Sequence, residues 1–169
     1  MTLIVCSLRR LPEVVAARAP SHLITLLAPE TLAETTIAAP ANYLAIGVHD
    51  IPHPQPGMVA PSPETIEQIV AFGRTWDERA PMVVHCFAGL SRSTATAFVL
   101  ACERNPGVDE RAIARALRRA SPFAAPNPRI VALADDMLGR QGRMLEALEA
   151  MGEAEPTSEG EPFELPARH

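Results

Sequence analysis

The chain has 169 residues, which is enough for one domain with a sizeable hydrophobic core and too few for two catalytic domains. Its net charge is −5, and the last 18 residues hold five Glu and one Arg, so the rest of the chain is close to neutral. The composition argues against nucleic-acid binding, because it has no basic excess and a single Trp and a single Tyr offer no base-stacking surface.

Cysteine usage and the apolar segments indicate where the protein works. Three cysteines are too sparse, and odd in number, for a disulfide framework, which favours a reducing compartment. The apolar run 3–6 is too short for a signal peptide, and Pro40 interrupts the uncharged run 35–48. We therefore expect a cytoplasmic protein that is not exported and does not span a membrane.

Short apolar runs alternate with helical patterns along the chain. The runs 3–6, 23–27, 43–48 and 82–86 predict strands. Before the fourth run, Ser62 as N-cap and Pro63 at the first position predict the start of a helix. This alternation predicts a single α/β domain with a central, mostly parallel sheet of four or five strands, flanked by helices.

Helices dominate the chain after residue 92. Apolar residues at three- and four-residue steps predict an inward-packed helix up to the Asn105-Pro106-Gly107 turn, and Asp109 is placed to cap a second helix. We predict a last helix over 128–151, with Gly139 and Gly142 as weak points. The catalytic domain would then span 1–151, and the Glu-, Pro-, Ser- and Gly-containing segment 152–169 would be a disordered acidic tail.

The segment from His85 to Ser93 contains a nucleophile in a setting suited to phosphate. Cys86 follows a predicted buried strand, five residues separate it from Arg92, and a predicted helix begins there. Backbone N–H groups at such a strand-to-helix turn, together with the helix dipole, favour a thiolate at Cys86 and attract a phosphoryl dianion. The alternative is a tight structural turn in which Cys86 is an ordinary buried thiol.

These residues resemble the signature of the cysteine-dependent protein tyrosine phosphatase superfamily, which is His-Cys, five residues, Arg, then Ser or Thr. Ala88-Gly89 and Ser91-Arg92-Ser93 are most similar to its dual-specificity branch. The resemblance implies that His85 tunes the loop and that Ser93 helps the sulfur to leave. It also implies phosphate binding by the residues between the cysteine and the helix, namely Phe87, Ala88, Gly89, Leu90, Ser91 and Arg92. The pair Pro126-Asn127 resembles a further family motif.

A phosphatase of this kind also needs a carboxyl group that protonates the leaving oxygen. Asp50 is our candidate, because it follows the strand predicted at 43–48 and so emerges at the same sheet edge as Cys86. Five prolines and Gly57 in 49–63 predict a stiff loop around it. Asp77 and Asp109 are weaker candidates, and an ordinary turn aspartate is the alternative reading of Asp50.

Other reactive residues are expected to be structural. His49 and His53 are four apart, but Pro52 and Pro54 exclude the helix that would turn them into a metal-binding pair, so we expect no metal. Cys6 lies too close to Arg9 for a second phosphate loop. Cys102 lies about 15 Å along the helix from its start and so is not a disulfide partner of Cys86, whereas a Cys6–Cys86 disulfide stays open.

The sequence thus favours an enzyme that needs no cofactor. We expect it to hydrolyse phosphate monoesters of tyrosine or of several residue types in proteins, through a phosphocysteine intermediate on Cys86. A phosphorylated protein or a small phosphate ester would be its partner. Two alternatives stay open: a catalytically inactive module that binds phosphoproteins, and a sulfurtransferase of the rhodanese kind, which also holds a cysteine on an anion-binding loop.

Overall fold

The computed structural model describes all residues, 1–169. Its secondary structure runs along the chain as β1 (Thr2–Ser7), α1 (Leu11–Arg18), β2 (His22–Leu27), α2 (Pro29–Glu34), β3 (Asn42–Gly47), α3 (Pro63–Thr75), β4 (Met82–Cys86), α4 (Arg92–Arg104), α5 (Glu110–Ala120), α6 (Pro128–Met137), α7 (Arg143–Met151) and β5 (Phe163–Pro166). The four strands predicted from apolar runs are confirmed as β1 to β4.

The strands form one five-stranded sheet in the order β3-β2-β4-β1-β5. β1, β2, β3 and β4 are mutually parallel, and β5 pairs antiparallel with β1. The predicted α/β class with a mostly parallel sheet is therefore confirmed. Because β4 lies between β1 and β2, the loop that follows it opens at the centre of the edge where all four parallel strands end.

The two faces of the sheet carry different clusters of buried side chains. Along β1, Leu3 and Val5 belong to the larger cluster, which includes residues of α3 to α7, whereas Ile4 and Cys6 belong to a smaller cluster with residues of α1. This alternation follows from the two-residue period of a strand. The same period places successive side chains of β4 on opposite faces of the sheet.

The helix that leads into β4 begins as its sequence predicts. Ser62 accepts a hydrogen bond from the backbone of Thr65, and the Thr65 hydroxyl accepts one from the Ser62 backbone, so both donors at the helix start are satisfied. Asp109 likewise caps α5 through the backbone N–H of Arg111. None of the helices is both long enough and apolar enough to cross a bilayer.

The single helix predicted over 128–151 is wrong, because the chain forms two helices there. Gly139 and Gly142 have φ values of +64° and +86°, a backbone region that helices exclude. Asp135 stabilises the break, since its two carboxylate oxygens accept hydrogen bonds from the backbone N–H groups of Gly142 and Met144 at 2.6 and 2.8 Å.

The expected disorder of 152–169 is also corrected by the structure. Phe163 and Leu165 face the larger core cluster from β5, while Glu164 between them is exposed. The antiparallel pairing with β1 supplies backbone hydrogen bonds that composition alone does not predict. The segment is acidic and contains prolines, but Phe163 and Leu165, which alternate with exposed residues as in a strand, attach it to the sheet.

Candidate active site

The turn between β4 and α4 is held in shape by a glycine. We call residues 86–92 the phosphate loop. Gly89 has a φ of +73°, and a Cβ on it would lie 2.8 Å from the backbone atoms of Cys6 and Ser7. Only glycine tolerates both the positive φ and this close approach of β1 to the loop.

The carbonyl groups of the phosphate loop are bonded to surrounding segments. The loop oxygens of Phe87, Ala88, Leu90 and Ser91 accept hydrogen bonds from the backbone N–H groups of Leu8 (3.1 Å), Gly160 (2.9 Å), Ala125 (2.9 Å) and Asn127 (3.2 Å), respectively. Three segments that are distant in sequence therefore fix the peptide planes of the loop from outside. With the carbonyls engaged in this way, the loop has a defined orientation.

By contrast, the backbone N–H groups of residues 87–92 make no hydrogen bond to any protein group. These N–H groups therefore need water or a bound group as acceptor, because an N–H that loses water without gaining an acceptor costs free energy. A run of such groups on a tight turn at a helix N-terminus binds anions. The loop thus has the backbone chemistry of an oxyanion site.

Cys86 lies at the start of this loop, and its side chain is buried. The Sγ atom is 3.2 Å from the Oγ atom of Ser93, which is itself fully buried in the first turn of α4. When the sulfur is a thiolate it can only accept, so the Ser93 hydroxyl then donates. The two residues that the family resemblance pairs are therefore in direct contact.

Arg92 closes the loop with a buried guanidinium. One terminal nitrogen donates to the carbonyl oxygen of Val48 at 2.7 Å, which fixes the side chain against the end of β3. The Nε atom is buried and has no acceptor in the protein. A guanidinium N–H without a partner at this place is available to an oxygen of a bound anion.

His85 points to the opposite face of the sheet. Its Nε2 atom lies 2.7 Å from the Thr25 hydroxyl, and its Nδ1 atom lies 3.4 Å from the carbonyl oxygen of Cys86. Burial lowers the pKa of His85 to about 4. The hydrogen bond to the Cys86 backbone raises this pKa and the positive charge of Arg92 lowers it, but both effects are smaller than that of burial. His85 is thus neutral at pH 7 and braces β4 behind the loop.

Asp50 reaches the phosphate loop from the loop after β3, here called the acid loop (residues 49–61). Its Oδ1 atom accepts hydrogen bonds from the Ser91 hydroxyl at 2.7 Å and from the Asn127 side-chain amide at 2.8 Å. The other two candidates bond locally, Asp77 to the backbone of Arg79 and Asp109 to that of Arg111. The structure therefore brings Asp50, alone of the three, to the candidate site.

Hydrogen bonds close the base of the acid loop. The backbone N–H of His49 donates to Val59 O at 2.8 Å, and Val59 N–H donates to His49 Nδ1 at 2.9 Å. Because Nδ1 is an acceptor, neutral His49 carries its proton on Nε2, which lies 3.1 Å from Glu30. Both ring nitrogens are thus in use, and the chain contains no cluster of three or more His, Cys, Asp or Glu side chains suited to a metal.

The other two cysteines are buried in different surroundings. Cys6 lies on the opposite face of the sheet from Cys86, so a disulfide between them would require a strand to rotate. Burial, followed by the nearby Cys86, raises the pKa of Cys6 to about 12. Burial also raises the pKa of Cys102. Both therefore stay thiols at neutral pH and are poor nucleophiles.

Sequence reasoning missed the contribution of the C-terminal segment to the site. Gly160 bonds to the loop carbonyl of Ala88, and Glu159 accepts a hydrogen bond from the Ser7 hydroxyl at 2.5 Å and also pairs with Arg9. These contacts were not predicted, because the segment 152–169 was expected to be disordered. The role of Asn127 had a weak signal in the Pro126-Asn127 pair, which carries no information about its partner Asp50.

No protein-family model matches the chain, and no curated protein sequence matches it. Solved structures do. A crystal structure of DUSP15 is 21% identical with a TM-score of 0.61, covering 90% of this chain and 94% of that one. PTPMT1 in complex with PI(5)P is 13% identical with a TM-score of 0.62, covering 82% and 91%. Human tyrosine phosphatase-like serine/threonine/tyrosine-interacting protein is 17% identical with a TM-score of 0.59, covering 82% and 92%.

These similarities extend over most of each chain, and at such identities they concern the fold. The structures share an α/β architecture with this chain. In this chain the signature from His85 to Ser93 spans the end of β4, the turn after it and the start of α4. The resemblance inferred from the sequence is therefore confirmed at the level of the fold. The chain has the fold of the solved structures of DUSP15 and PTPMT1.

Proposed function

We propose that this protein is a cysteine-dependent phosphatase that hydrolyses phosphate monoesters through a phosphocysteine intermediate. The observation that carries the proposal is the run of unpaired backbone N–H groups at 87–92, between a buried cysteine and a buried arginine with a free donor. A transferring phosphoryl group has three equatorial oxygens that need donors, and the loop supplies donors in excess.

In the first step, Cys86 Sγ attacks phosphorus in line with the ester oxygen, and the P–O bond breaks as the P–S bond forms. The proton of the Asp50 carboxyl group passes to the leaving oxygen, so the alcohol departs neutral and Asp50 becomes a carboxylate. Arg92 binds two phosphoryl oxygens through its planar fork, and these contacts strengthen as charge spreads over the oxygens. The scheme requires no metal ion.

In the second step, a water molecule attacks the phosphocysteine and the P–S bond breaks. Asp50, now a carboxylate, takes a proton from this water and regains its acid form. The departing sulfur carries a negative charge, which the Ser93 hydroxyl stabilises by donating its hydrogen bond over the 3.2 Å contact. Inorganic phosphate then leaves the loop.

We propose a phosphorylated protein as the substrate, of the tyrosine or dual-specificity type. The phosphate loop has no cationic side chain besides Arg92, and the whole chain contains no lysine, so several phosphates on one headgroup would lack partners. PTPMT1, which shares the fold, has been crystallised with PI(5)P, and an inositol phospholipid is therefore the comparison substrate. The three free, buried cysteines support a reducing, cytoplasmic setting.

The test is hydrolysis of 4-nitrophenyl phosphate by purified protein in the presence of a chelator. We expect turnover that Cys86→Ser abolishes, and Asp50→Ala should slow hydrolysis by about 10²-fold or more for poor leaving groups. Full activity of Cys86→Ser would refute the proposal. Cys102→Ser is the matched control, because that thiol is also buried but belongs to no part of the proposed site.

Two outcomes would support the alternatives instead. Tight binding of a phosphopeptide by the wild-type protein without any hydrolysis would indicate a binding module, a possibility in keeping with the name "tyrosine phosphatase-like" of one structural neighbour. Formation of thiocyanate from thiosulfate and cyanide would indicate sulfur transfer. Sulfur transfer is not expected, because Arg92 and Ser93 complete a loop suited to phosphate. Binding without hydrolysis is not expected, because Ser93 contacts Cys86 Sγ and Asp50 lies at the same loop, as turnover requires.

A further inference from the structure

The turn between β1 and α1 lies directly against the phosphate loop, because the backbone N–H of Leu8 donates to the carbonyl oxygen of Phe87 at 3.1 Å. The half-buried side chain of Leu8 lines two neighbouring surface cavities. One, of about 270 Å³, opens beside the phosphate loop and is also lined by Arg9, Phe87, Ala88, Ser158 and Glu159. The other, of about 320 Å³, is lined by the segment 36–38 and by Leu11, Pro12, Val15 and Ala16 of α1. We call the two cavities together the apolar groove.

The lining of the groove is mostly hydrophobic. The cavity at α1 contains no charged side chain, and its only polar side chain is that of Thr36. In the cavity at the phosphate loop, Phe87 is 61% exposed, more than any other large hydrophobic residue of the protein. Apolar surface of this kind, which extends from the phosphate loop to α1, gains free energy when another apolar group covers it.

The two charged side chains of the groove neutralise each other. Arg9 Nε lies 3.1 and 2.9 Å from the two carboxylate oxygens of Glu159, and Arg9 Nη2 lies 2.8 Å from Oε2. Glu159 also accepts a hydrogen bond from the Ser7 hydroxyl at 2.5 Å, which fixes its carboxylate at the end of β1. The groove therefore has no net charge, and a charged group of a substrate finds no unpaired partner there.

From this geometry we infer that the apolar groove binds large apolar side chains of the substrate protein, close in sequence to the phosphorylated residue. The inference rests on the proposed phosphatase function. A phosphoryl group bound by the phosphate loop brings the polypeptide that carries it next to Phe87, where the groove begins. Contacts along the groove are distant from the reacting atoms, so they select the substrate and do not accelerate the chemical step.

The shape of the groove favours a peptide as its occupant. Because the two cavities are separate and share only Leu8, they accept two side chains more readily than one continuous alkyl chain. The wall that α1 contributes runs from Leu11 to Ala16, about 7.5 Å at the helical rise of 1.5 Å per residue. Side chains two residues apart in an extended peptide lie on the same side, about 6.6 Å from each other. We therefore expect two apolar residues at alternate positions, one for each cavity.

The test compares phosphotyrosine peptides that differ only at the second and fourth positions on each side of the phosphotyrosine. Two peptides carry Leu at both positions of one side, amino-terminal or carboxyl-terminal, and Gln on the other side. A reference peptide carries Gln at all four positions, and a further peptide carries Glu at all four. We expect kcat/KM for one of the Leu peptides to exceed that of the Gln peptide by about five- to twentyfold, mainly through a lower KM. Equal values for the Leu and Gln peptides, or a preference for the Glu peptide, would overturn the inference.

Two neighbouring alanines of α1 provide a variant and its matched control. Ala16→Glu places a carboxylate in the groove, whereas Ala17, the next residue and also exposed, lies outside it. We expect Ala16→Glu to reduce the preference for Leu over Gln to less than about twofold and Ala17→Glu to preserve it. Both should hydrolyse 4-nitrophenyl phosphate at the wild-type rate, since a single ring does not reach α1. If Ala16→Glu fails to fold, Ala38→Glu in the opposite wall repeats the test, and an unchanged preference contradicts the inference.

A binding measurement without catalysis separates this inference from the proposed function. Fluorescence anisotropy gives Kd for the same peptides on the Cys86→Ser protein. If the wild-type protein hydrolyses no phosphate ester, the proposed function fails, while the ratio of the Kd values for Gln and Leu peptides still decides the inference, and a ratio near one overturns it. Dodecyl phosphate is the comparison ligand. Binding of this ester that Ala16→Glu weakens, with no preference among the peptides, would show that the groove accepts an alkyl chain and not a protein.

Discussion

The backbone N–H of Gly160 donates to the carbonyl oxygen of Ala88 at 2.9 Å, so the C-terminal segment is hydrogen-bonded to the phosphate loop itself. A Cβ on Gly160 would lie 3.1 Å from both the Gly89 carbonyl oxygen and Leu90 Cδ2. The contact therefore depends on the absence of a side chain. It makes a segment more than 70 residues downstream of Cys86 a support of the candidate site.

Gly160→Val should weaken this support. The added methyl groups displace the segment from the loop, and we expect kcat for 4-nitrophenyl phosphate to fall by about three- to tenfold as the loop amides lose their fixed orientation. Gly107→Val is the matched control, because a Cβ at Gly107 meets nothing within 4 Å. Equal kinetics for the two variants would show that the C-terminal segment does not position the loop.

Gly89→Ala tests the tight turn of the phosphate loop. The change combines a positive φ with a 2.8 Å clash against the backbone of β1, and we expect it to destabilise the fold by about 2–4 kcal/mol and to abolish hydrolysis. Gly57→Ala is the control, since Gly57 has nearly the same φ, +74°, in open space. Urea unfolding of both variants separates the cost of the backbone conformation from that of the clash.

Leu165→Ala tests whether β5 belongs to the folded domain. Leu165 is fully buried in the larger core cluster, so its truncation should reduce the free energy of unfolding by about 2–5 kcal/mol. Glu161→Ala, at an exposed position of the same segment, should change it by less than about 0.5 kcal/mol. A Leu165→Ala protein with wild-type stability would mean that 152–169 is detached from the sheet in solution.

His85 should make the protein less stable in mild acid. Its pKa falls from 6.5 to about 4 on folding, so between these values the unfolded chain binds a proton that the folded chain does not. Stability attributable to His85 is therefore unchanged above pH 7 and decreases as the pH falls towards 4, by about 2 kcal/mol at pH 5.

Urea midpoints at pH 7 and pH 5 measure this loss, and His85→Gln should remove most of it. The other histidines remain in that variant, so the difference between the two proteins reports on His85 alone. If His85→Gln loses as much stability as the wild type between these pH values, His85 is not the neutral buried group that the structure describes.

The local pattern around Cys86 was sufficient to predict much of the site. A buried apolar run, a cysteine, five loop residues and an arginine predict a strand, a turn and a helix in that order, and the structure contains all three. The place of Asp50 followed from the rule that parallel strands end at one edge. The hydrogen-bond partners of Asp50 did not follow from this rule, because Ser91 and Asn127 lie 41 and 77 residues away from it in sequence.

The sequence by itself determined the α/β class, the four parallel strands and the motif from Cys86 to Ser93, because period, caps and spacing act over a few residues. Only the tertiary structure decided that the acidic C-terminal segment pairs with β1 and reaches Ala88, and that Asn127 meets Asp50. Such contacts join residues that are distant in sequence, and the local sequence pattern around one residue does not indicate its partner. They form because packing the core brings distant backbone donors and acceptors together, where each must find a partner.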